Sequence, residues 1–219
     1  MALKIYGVLR SRATRNVWLA KELGIDFTVV PVIQGYRLPD AKAAGAPLNT
    51  ESPAFRAINP NGQVPCIEDD GFVLCESLAI NLYLAKKHGG PLAPKDAREE
   101  ALMMQWALWA ATDCEPRTLA IQYARGGKPE QRDEAAVKTA IDGLARPAAG
   151  LDSALQKGGG WLVGNRFTVA DINAAEVWRY AQAAPELIDA HPPIKAWLAA
   201  CQGRPAFKQM MEERAAEPM

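Results

Sequence analysis

Residues suited to ligand chemistry lie where the sequence predicts the start of a helix. Ser77 opens a helical pattern and Glu76 precedes it. The first backbone N–H groups of a helix have no partner within the helix, and its dipole places positive charge at that end. A carboxylate can therefore bind beside the Ser77 hydroxyl, and Glu76 supplies the opposite charge for an ammonium group. The pair suits the amino-acid end of a ligand; the simpler alternative is that Ser77 is only an N-cap.

The cysteines and histidines favour free thiols over a metal site. The cysteines form no C-x-x-C motif, and His88 and His191 are far apart in the sequence. Structural zinc needs four clustered Cys or His ligands, so we predict no metal. The N-terminal sequence also has no apolar run typical of a signal peptide, and with free thiols this leads us to expect a cytoplasmic protein. The cysteines are Cys66, Cys75, Cys114 and Cys201.

The composition excludes several classes of function. The chain of 219 residues has 25 Lys and Arg against 25 Asp and Glu, a formal net charge of zero. Proteins that bind nucleic acid through its phosphates, or membranes through a polybasic surface, usually carry a basic excess, so we expect neither partner. No stretch reaches the roughly 18 apolar residues of a membrane span. The length allows one large domain or two small ones.

The first part of the chain alternates between strand and helix signals, as an α/β domain does. The predicted elements are strands at Leu3–Leu9 and Phe27–Val32 with a helix at Asn16–Leu23 between them, a hairpin of Val64–Glu68 and Phe72–Leu74 around Asp70-Gly71, and a helix at Ser77–Lys87. The segment before the hairpin, Gln34–Phe55, is long for a connection. We expect it to be a loop, with a functional loop or lid as a candidate role.

A Gly- and Pro-rich segment, His88–Pro94, indicates a linker, and only helices are predicted beyond it. The boundaries are an α/β domain at 1–86, a linker at 87–97 and an all-helical domain at 98–219. Thr168 and Asp171 form a capping box, whose loss should affect folding and not chemistry. The predicted helices are Glu99–Tyr123, Glu130–Gln156 with a kink at Pro147, and three that start at Thr168, Pro192 and Pro205.

Three motifs carry a resemblance to a known family. One leads into the hairpin, one opens the helix after it, and one lies in the helical half. In this order and spacing they resemble the cytosolic glutathione transferases over essentially the whole chain, with a serine-type pattern similar to the phi and theta classes. The resemblance implies a thioredoxin-like first domain, an all-helical second domain and a homodimer. The motifs are Asn59–Pro65, Glu76–Ile80, and Trp161–Gly164 with Thr168–Asp171.

The resemblance implies that glutathione, as co-substrate, binds residues of the first domain. Glu76 and Ser77 bind its amino-acid end, and Gln63 reaches the γ-glutamyl group or its backbone. Val64 pairs with the cysteinyl backbone like an added strand, next to Pro65, which is cis in the family. An ordinary proline at the start of a strand is the alternative for Pro65.

The glycyl carboxylate of glutathione has no clear partner in the sequence. Where phi-class relatives have a His-Lys pair, this chain has Thr50-Glu51, and a glutamate cannot bind a carboxylate. Arg37 and Lys42 on the long loop are candidates in its place, and each is at least as well explained as a solvated loop charge. Arg12 is a further candidate for holding the anionic glutathione, without an assigned group.

Two residues near the end of the first strand are candidates for stabilising the glutathione thiolate. The resemblance favours Ser11, whose hydroxyl would donate a hydrogen bond to the anion, over Tyr6, which stands where the tyrosine-type classes have theirs. Arg12 or the backbone is a third possibility. No cysteine occupies this position, so disulfide exchange through an enzyme thiol is not expected. Thr14 is expected to be the N-cap of the first helix.

The electrophile would bind between the domains, along the long helix. Trp109, Cys114 and Arg117 are the candidates, with Trp106 and Tyr123 nearby. Aromatic residues three apart on a long helix are more often part of a core or dimer interface, which is the alternative for the tryptophans.

The hairpin register predicts that Cys66 and Cys75 lie opposite each other. A redox-sensitive pair is one interpretation, and two small buried core residues is the other.

Three functions remain open at this point. The leading one is conjugation of glutathione to small apolar electrophiles. The others are a glutathione-dependent isomerase similar to the zeta class, and a non-catalytic interaction module of the same fold.

Overall fold

The computed structural model describes residues 3–218. Contacts divide the chain into two compact units, one that runs to His88 and takes in the chain from Pro205 onward, and one at Gly89–Arg204. The sequence analysis placed residues 98–219 in one helical domain. In the structure the residues from Pro205 onward belong to the first unit instead, because the last helix packs there. Within residues 3–218, no helix is long and apolar enough to cross a membrane.

A four-stranded mixed sheet forms the centre of the first unit. Its strands are β1 (Leu3–Tyr6), β2 (Phe27–Val30), β3 (Cys66–Asp69) and β4 (Phe72–Cys75), in the order β2-β1-β3-β4. β1 and β2 are parallel, whereas β3 is antiparallel to both β1 and β4. The hairpin turns at Asp70 and Gly71, which both have positive φ, as the Asp-Gly pair predicts. The prediction of a thioredoxin-like α/β domain is confirmed.

The helices between these strands are α1 (Thr14–Leu23), α2 (Pro53–Ile58) and α3 (Ser77–His88). α1 ends at Gly24, whose φ of 63° is the left-handed conformation that closes helices. α2 begins inside the segment predicted as a loop, so that prediction is wrong there. Six residues are too few to give a helical period, although Pro53 at the start and the buried Phe55 fit the helix.

The second unit is helical, which confirms the prediction for this part of the chain. Its helices are α4 (Ala97–Trp109), α5 (Glu115–Arg125), α6 (Glu134–Lys157), α7 (Val169–Trp178), α8 (Pro185–Asp189) and α9 (Pro192–Gln202). Pro147 lies inside α6, and Pro192 starts α9 as predicted.

The predicted single helix Glu99–Tyr123 is wrong, because a π-helical turn at Ala110–Cys114 separates α4 from α5. Pro116 lies in the first turn of α5 and has no N–H to donate to a preceding carbonyl. Arg117 Nη1 instead donates to the Asp113 carbonyl at 2.6 Å, which satisfies an acceptor within the irregular turn.

The start of α7 is the predicted capping box. The Thr168 hydroxyl accepts the Ala170 N–H at 3.3 Å, and Asp171 Oδ2 accepts the Thr168 N–H at 2.9 Å. Asp171 Oδ1 also accepts from the Leu162 N–H and from Trp197 Nε1, at 3.1 and 3.0 Å. Burial raises the pKa of Asp171 to about 6 despite these donors.

The last helix, α10 (Pro205–Ala216), returns to α1 in the first unit. The rings of Phe207 and Trp18 meet edge to face with centroids 4.9 Å apart. Glu213 accepts from Lys21 Nζ at 2.8 Å. These contacts join segments that are nearly two hundred residues apart in the sequence.

Candidate active site

Ser11 lies in a tight turn between β1 and α1. Its N–H donates to the Val8 carbonyl at 3.0 Å, and its hydroxyl donates to the same carbonyl at 2.6 Å. The Ala13 N–H donates to Ser11 Oγ at 3.1 Å. The half-buried hydroxyl is therefore held in one place by the backbone of its own turn.

Tyr6 is engaged in the sheet. Its side chain is buried and packs against Phe55, and its hydroxyl donates to Glu68 at 2.8 Å. Burial, followed by the hydrogen bond to the Glu68 carboxylate, raises the pKa of Tyr6 to about 12. A phenol that already donates to a carboxylate has to give up that bond before it can donate to a thiolate.

Thr14 is not the N-cap of α1, contrary to the sequence prediction. Ala13 occupies the cap position without a side-chain hydrogen bond, and Thr14 is the first helical residue. The Thr14 hydroxyl donates to the Ser11 carbonyl at 3.3 Å. The N–H groups of Asn16 and Val17, which a Thr14 cap would accept, already donate to the Ala13 carbonyl at 3.1 and 3.0 Å, so the helix begins one residue before the predicted cap.

Gly7 lies beside both Ser11 and Val64. A Cβ on Gly7 would lie 3.5 Å from Ser11 Oγ and 3.5 Å from Val64 Cβ. Gly7 also has a φ of 149°, which L side chains rarely adopt. The glycine therefore leaves space beside the Ser11 hydroxyl and the Val64 side chain.

The segment at the start of β3 has the backbone form that the resemblance implies. The Val64–Pro65 peptide bond is cis. Val64 is half-buried, and Gln63 is exposed. The Gln63 carbonyl accepts from Asn59 Nδ2 at 2.8 Å, so the first motif fixes the backbone that precedes Pro65.

Glu76 and Ser77 lie at the start of α3, as predicted. Glu76 is exposed and has a φ of 69°, a left-handed conformation that is rare for a residue other than glycine. Such outliers often mark functional positions. Ser77 begins the helix and is almost fully buried.

A buried arginine behind Ser77 was not found by sequence reasoning. Arg15 is 1% exposed, and its Nη1 donates to Ser77 Oγ at 3.1 Å. Asn16 Nδ2 donates to the Ser77 carbonyl at 2.8 Å and to Asn81 Oδ1 at 2.7 Å. The signal in the sequence is an Arg-Asn pair within a short helix whose other residues are largely apolar. Arg15 adds a positive charge at the start of α3, where the sequence analysis predicts that a carboxylate binds.

The other cationic candidates have partners within the first unit. Arg37 Nη2 donates to the Arg10 carbonyl at 2.8 Å. Lys42 and Glu51 form an ion pair with 3.8 Å between Nζ and Oε2. Arg12 is exposed. Arg37 and Lys42 remain candidates for the glycyl carboxylate, and Arg12 remains one for a contact with the anionic ligand.

The electrophile candidates lie beside the π-helical turn of the second unit. Trp109 stacks on Trp178 with centroids 6.4 Å apart and meets Trp106 edge to face at 4.9 Å. Cys114 is fully buried, and burial raises the pKa of its thiol to about 12. Arg117 lies against Gly143, where a Cβ would come within 2.7 Å of its Nε. These contacts are those of a helical core.

The cysteine pair has the predicted register, with Cys66 opposite Cys75. Both are free thiols. Cys66 is fully buried in an apolar cluster that includes Tyr6 and Phe55. Burial and the neighbouring Cys75 raise the pKa of Cys66 to about 12, which makes the thiol unreactive in this state.

No cluster of three or more metal-ligating side chains occurs among residues 3–218. The first unit instead has a half-buried hydroxyl, the cis Val64–Pro65 segment and a helix start with a buried arginine behind it. Such a set suits an extended, anionic peptide-like ligand.

Comparison with known proteins agrees with this description. The chain matches the family model of the glutathione S-transferase N-terminal domain over residues 11–87 and that of the glutathione S-transferase C-terminal domain over 115–205. The chain belongs to the glutathione S-transferase family, and it is a glutathione transferase, an enzyme. Of the three functions that the sequence left open, the comparisons favour this one.

Its relatives cover nearly the full length. Glutathione S-transferase 3 of Zea mays is 32% identical, over 94% of this chain and 92% of its own. Glutathione transferase F7 of Populus trichocarpa has a TM-score of 0.80 at 26% identity, with 97% and 99% of the two chains covered. A theta-class glutathione S-transferase of Xanthomonas axonopodis pv. citri, solved with glutathione bound, has a TM-score of 0.74 at 30% identity, with 95% and 96% covered.

Proposed function

We propose that Ser11 stabilises the thiolate of bound glutathione, which then attacks a small apolar electrophile. The observation that carries this proposal is the geometry of the Ser11 hydroxyl, which is half-buried in a rigid turn next to Val64. The conjugation transfers the electrophilic group to the sulfur and releases the leaving group. It needs no metal and no nucleophile from the protein.

The Ser11 hydroxyl is prepared for this role by its own hydrogen bonds. The Ala13 N–H donates to Ser11 Oγ at 3.1 Å, which polarises the hydroxyl and makes it a better donor. In the ligand-free chain the hydroxyl proton goes to the Val8 carbonyl. A thiolate is the stronger acceptor because it is charged, so the hydroxyl turns from Val8 to the sulfur when glutathione binds. The thiol proton passes to solvent.

The rest of glutathione extends from this point to α3. Its cysteinyl backbone pairs with Val64, and Gln63 approaches the γ-glutamyl part. The γ-glutamyl carboxylate binds the N–H and hydroxyl of Ser77, with the buried charge of Arg15 behind them. Exposed Glu76 accepts the ammonium. This arrangement would hold an anionic ligand on a chain whose net charge is zero.

The second unit contributes the electrophile site in this proposal, with Trp109, Cys114 and Arg117 as its candidates. The full burial of Cys114 and the contact of Arg117 with Asp113 favour a supporting role for these two.

We also propose a cytoplasmic homodimer that acts in detoxification. Four free thiols suit a reducing compartment. Both units expose large apolar side chains, which suits a protein interface. They are Phe72 and Val73 on β4, and Leu102, Met104 and Leu108 on α4.

The test compares Ser11→Ala with Tyr6→Phe as the matched control. We expect Ser11→Ala to lower kcat/KM for a chlorodinitrobenzene about 100-fold, as for the loss of one preorganised donor to an anion. The pH at which the ultraviolet absorbance of the bound thiolate develops should rise, because its thiol pKa rises. Tyr6→Phe should change kcat/KM less than about twofold, because the phenol already serves Glu68.

An unchanged Ser11→Ala enzyme would show that the assignment is wrong, and a large loss in Tyr6→Phe would transfer the role to Tyr6. Retention on immobilised glutathione without turnover of electrophiles, peroxides or isomerisation substrates would contradict the enzyme itself.

A further inference from the structure

We infer that Glu217, directly after α10, is a positioning residue that holds the turn carrying Ser11. The inference rests on the proposed function, because the turn matters to catalysis only if Ser11 supplies the hydrogen bond to the thiolate. It begins from contacts between residues that are 207 and 208 positions apart in the sequence.

The Ser11 turn leaves two backbone donors that need partners. In a β-turn the N–H of the fourth residue bonds to the carbonyl of the first, while the two central N–H groups have no partner within the turn. The Ser11 N–H donates to the Val8 carbonyl at 3.0 Å, so the central residues are Leu9 and Arg10.

One carboxylate satisfies both donors. Glu217 Oε1 accepts the Leu9 N–H at 2.8 Å, and Oε2 accepts the Arg10 N–H at 2.9 Å. Arg10 Nη2 also donates to the Glu217 carbonyl at 3.3 Å. Two parallel bonds to an ionised acceptor are stronger and more specific in geometry than neutral ones. The carboxylate therefore fixes both central peptides of the turn at once.

Glu217 is itself anchored to the helix that follows the turn. α10 packs on α1 through the rings of Phe207 and Trp18. α1 starts only three residues after Ser11. The end of α10 and the turn therefore share one rigid support.

The position of the Ser11 hydroxyl depends on this turn. Both of its hydrogen bonds, to the Val8 carbonyl and from the Ala13 N–H, are to backbone groups of the same loop. When the central peptides are released, the backbone that aims the hydroxyl can move. A displacement of a catalytic group by about 1 Å can lower the rate on the order of 100-fold. Glu217 should therefore affect the bound thiolate without contacting glutathione.

The test compares Glu217→Ala and Glu217→Gln with the wild-type enzyme. We expect each to lower kcat/KM for a chlorodinitrobenzene about tenfold and to raise the pKa of the bound thiol, with the KM for glutathione changed less than about twofold. Glu217→Gln also breaks the paired contact, because the amide group has a single acceptor oxygen for the two N–H donors of the turn. If Glu217 acted only through its negative charge, its removal would lower the thiol pKa. The direction of the pKa change therefore separates a positioning role from an electrostatic one.

Glu213→Gln is the matched control on the same helix, since it weakens the Lys21 contact without touching the turn. It should leave the thiol pKa unchanged. In a Ser11→Ala background, Glu217→Ala should add no further loss.

A thiol pKa that is unchanged or lowered in the Glu217 variants overturns the inference, and so does an equal shift in Glu213→Gln. If Ser11→Ala alone has no effect, the proposed role of Ser11 fails and the inference fails with it. An effective Ser11→Ala beside ineffective Glu217 variants overturns the inference only.

Discussion

Two helices of this protein, α7 and α3, begin with a hydroxyl side chain close to an acidic side chain. The acidic side chain is buried at α7 and exposed at α3. At α7, Thr168 and Asp171 are both fully buried. At α3, Ser77 is buried but Glu76 is exposed. The two helix starts therefore separate a structural cap from a candidate binding site within one chain.

At the start of α7, the acidic side chain is bonded to donors within the protein. Asp171 accepts from the N–H groups of Thr168 and Leu162 and from Trp197 Nε1, so its oxygens serve the fold. A buried carboxylate with this many donors has little capacity left for a ligand.

The α3 end has the opposite arrangement. Glu76 turns outward through a left-handed φ of 69°, and a buried arginine, Arg15, donates to the Ser77 hydroxyl from behind. The helix start keeps its positive charge and gains another, so it suits an anion from solvent. The direction of the acidic side chain, more than the Ser/Thr-acid pattern itself, separates the two roles.

The largest expected effect is at α7. Asp171→Ala removes one side chain that serves a helix cap, another backbone N–H and a buried indole. We expect the free energy of unfolding to fall by about 3–4 kcal/mol, since each buried donor left without a partner costs roughly 1–3 kcal/mol. Denaturant titration measures this. The KM for glutathione should stay the same in the folded fraction, and a change in it would remove the distinction between the two helix starts.

The next prediction concerns pH. Burial raises the pKa of Asp171 from 3.8 to about 6 in the folded chain. A raised folded-state pKa contributes stability that is complete below the unfolded value of 3.8 and is lost as pH rises through about 6. The Asp171→Asn variant lacks this titration, so its deficit in unfolding free energy should be larger at pH 4 than at pH 7.5, by about 2 kcal/mol. The reverse trend would mean that the hydrogen-bond donors to Asp171 outweigh burial at this site.

Local patterns in the sequence predicted much of this architecture. The Asp70-Gly71 turn sets the hairpin register that places Cys66 opposite Cys75, and the Thr168–Asp171 capping box marks the start of α7. These features depend on residues a few positions apart, so a single sequence carries their full signal.

The features that were missed depend on distant or irregular contacts. Thr14 has the side chain of an N-cap, but the N–H groups that it would cap already donate to the Ala13 carbonyl. The π-helical turn at Ala110–Cys114 lies inside a segment that the sequence predicted as one helix. The partners of Ser77 and of the Ser11 turn, Arg15 and Glu217, come from other elements. Side chains that meet through the fold leave no spacing rule in the sequence.

The smallest expected effect sharpens the comparison most directly. Ser77→Ala removes the hydroxyl that Arg15 contacts and that the γ-glutamyl carboxylate would bind. We expect the Kd for glutathione to rise about tenfold, which corresponds to one charge-assisted hydrogen bond, while the free energy of unfolding falls by only about 1 kcal/mol. Isothermal titration with glutathione, together with denaturant titration, gives both quantities.

Thr168→Ala is the matched variant at the other helix start. It should lose about 1–2 kcal/mol of unfolding free energy and leave glutathione binding unchanged, because no oxygen of its capping box faces a ligand. If Ser77→Ala and Thr168→Ala behave alike, with stability lost and binding intact, Ser77 is only an N-cap. In that case the positive charge of Arg15 serves the packing of α1 on α3, and the γ-glutamyl carboxylate must bind elsewhere in the first unit.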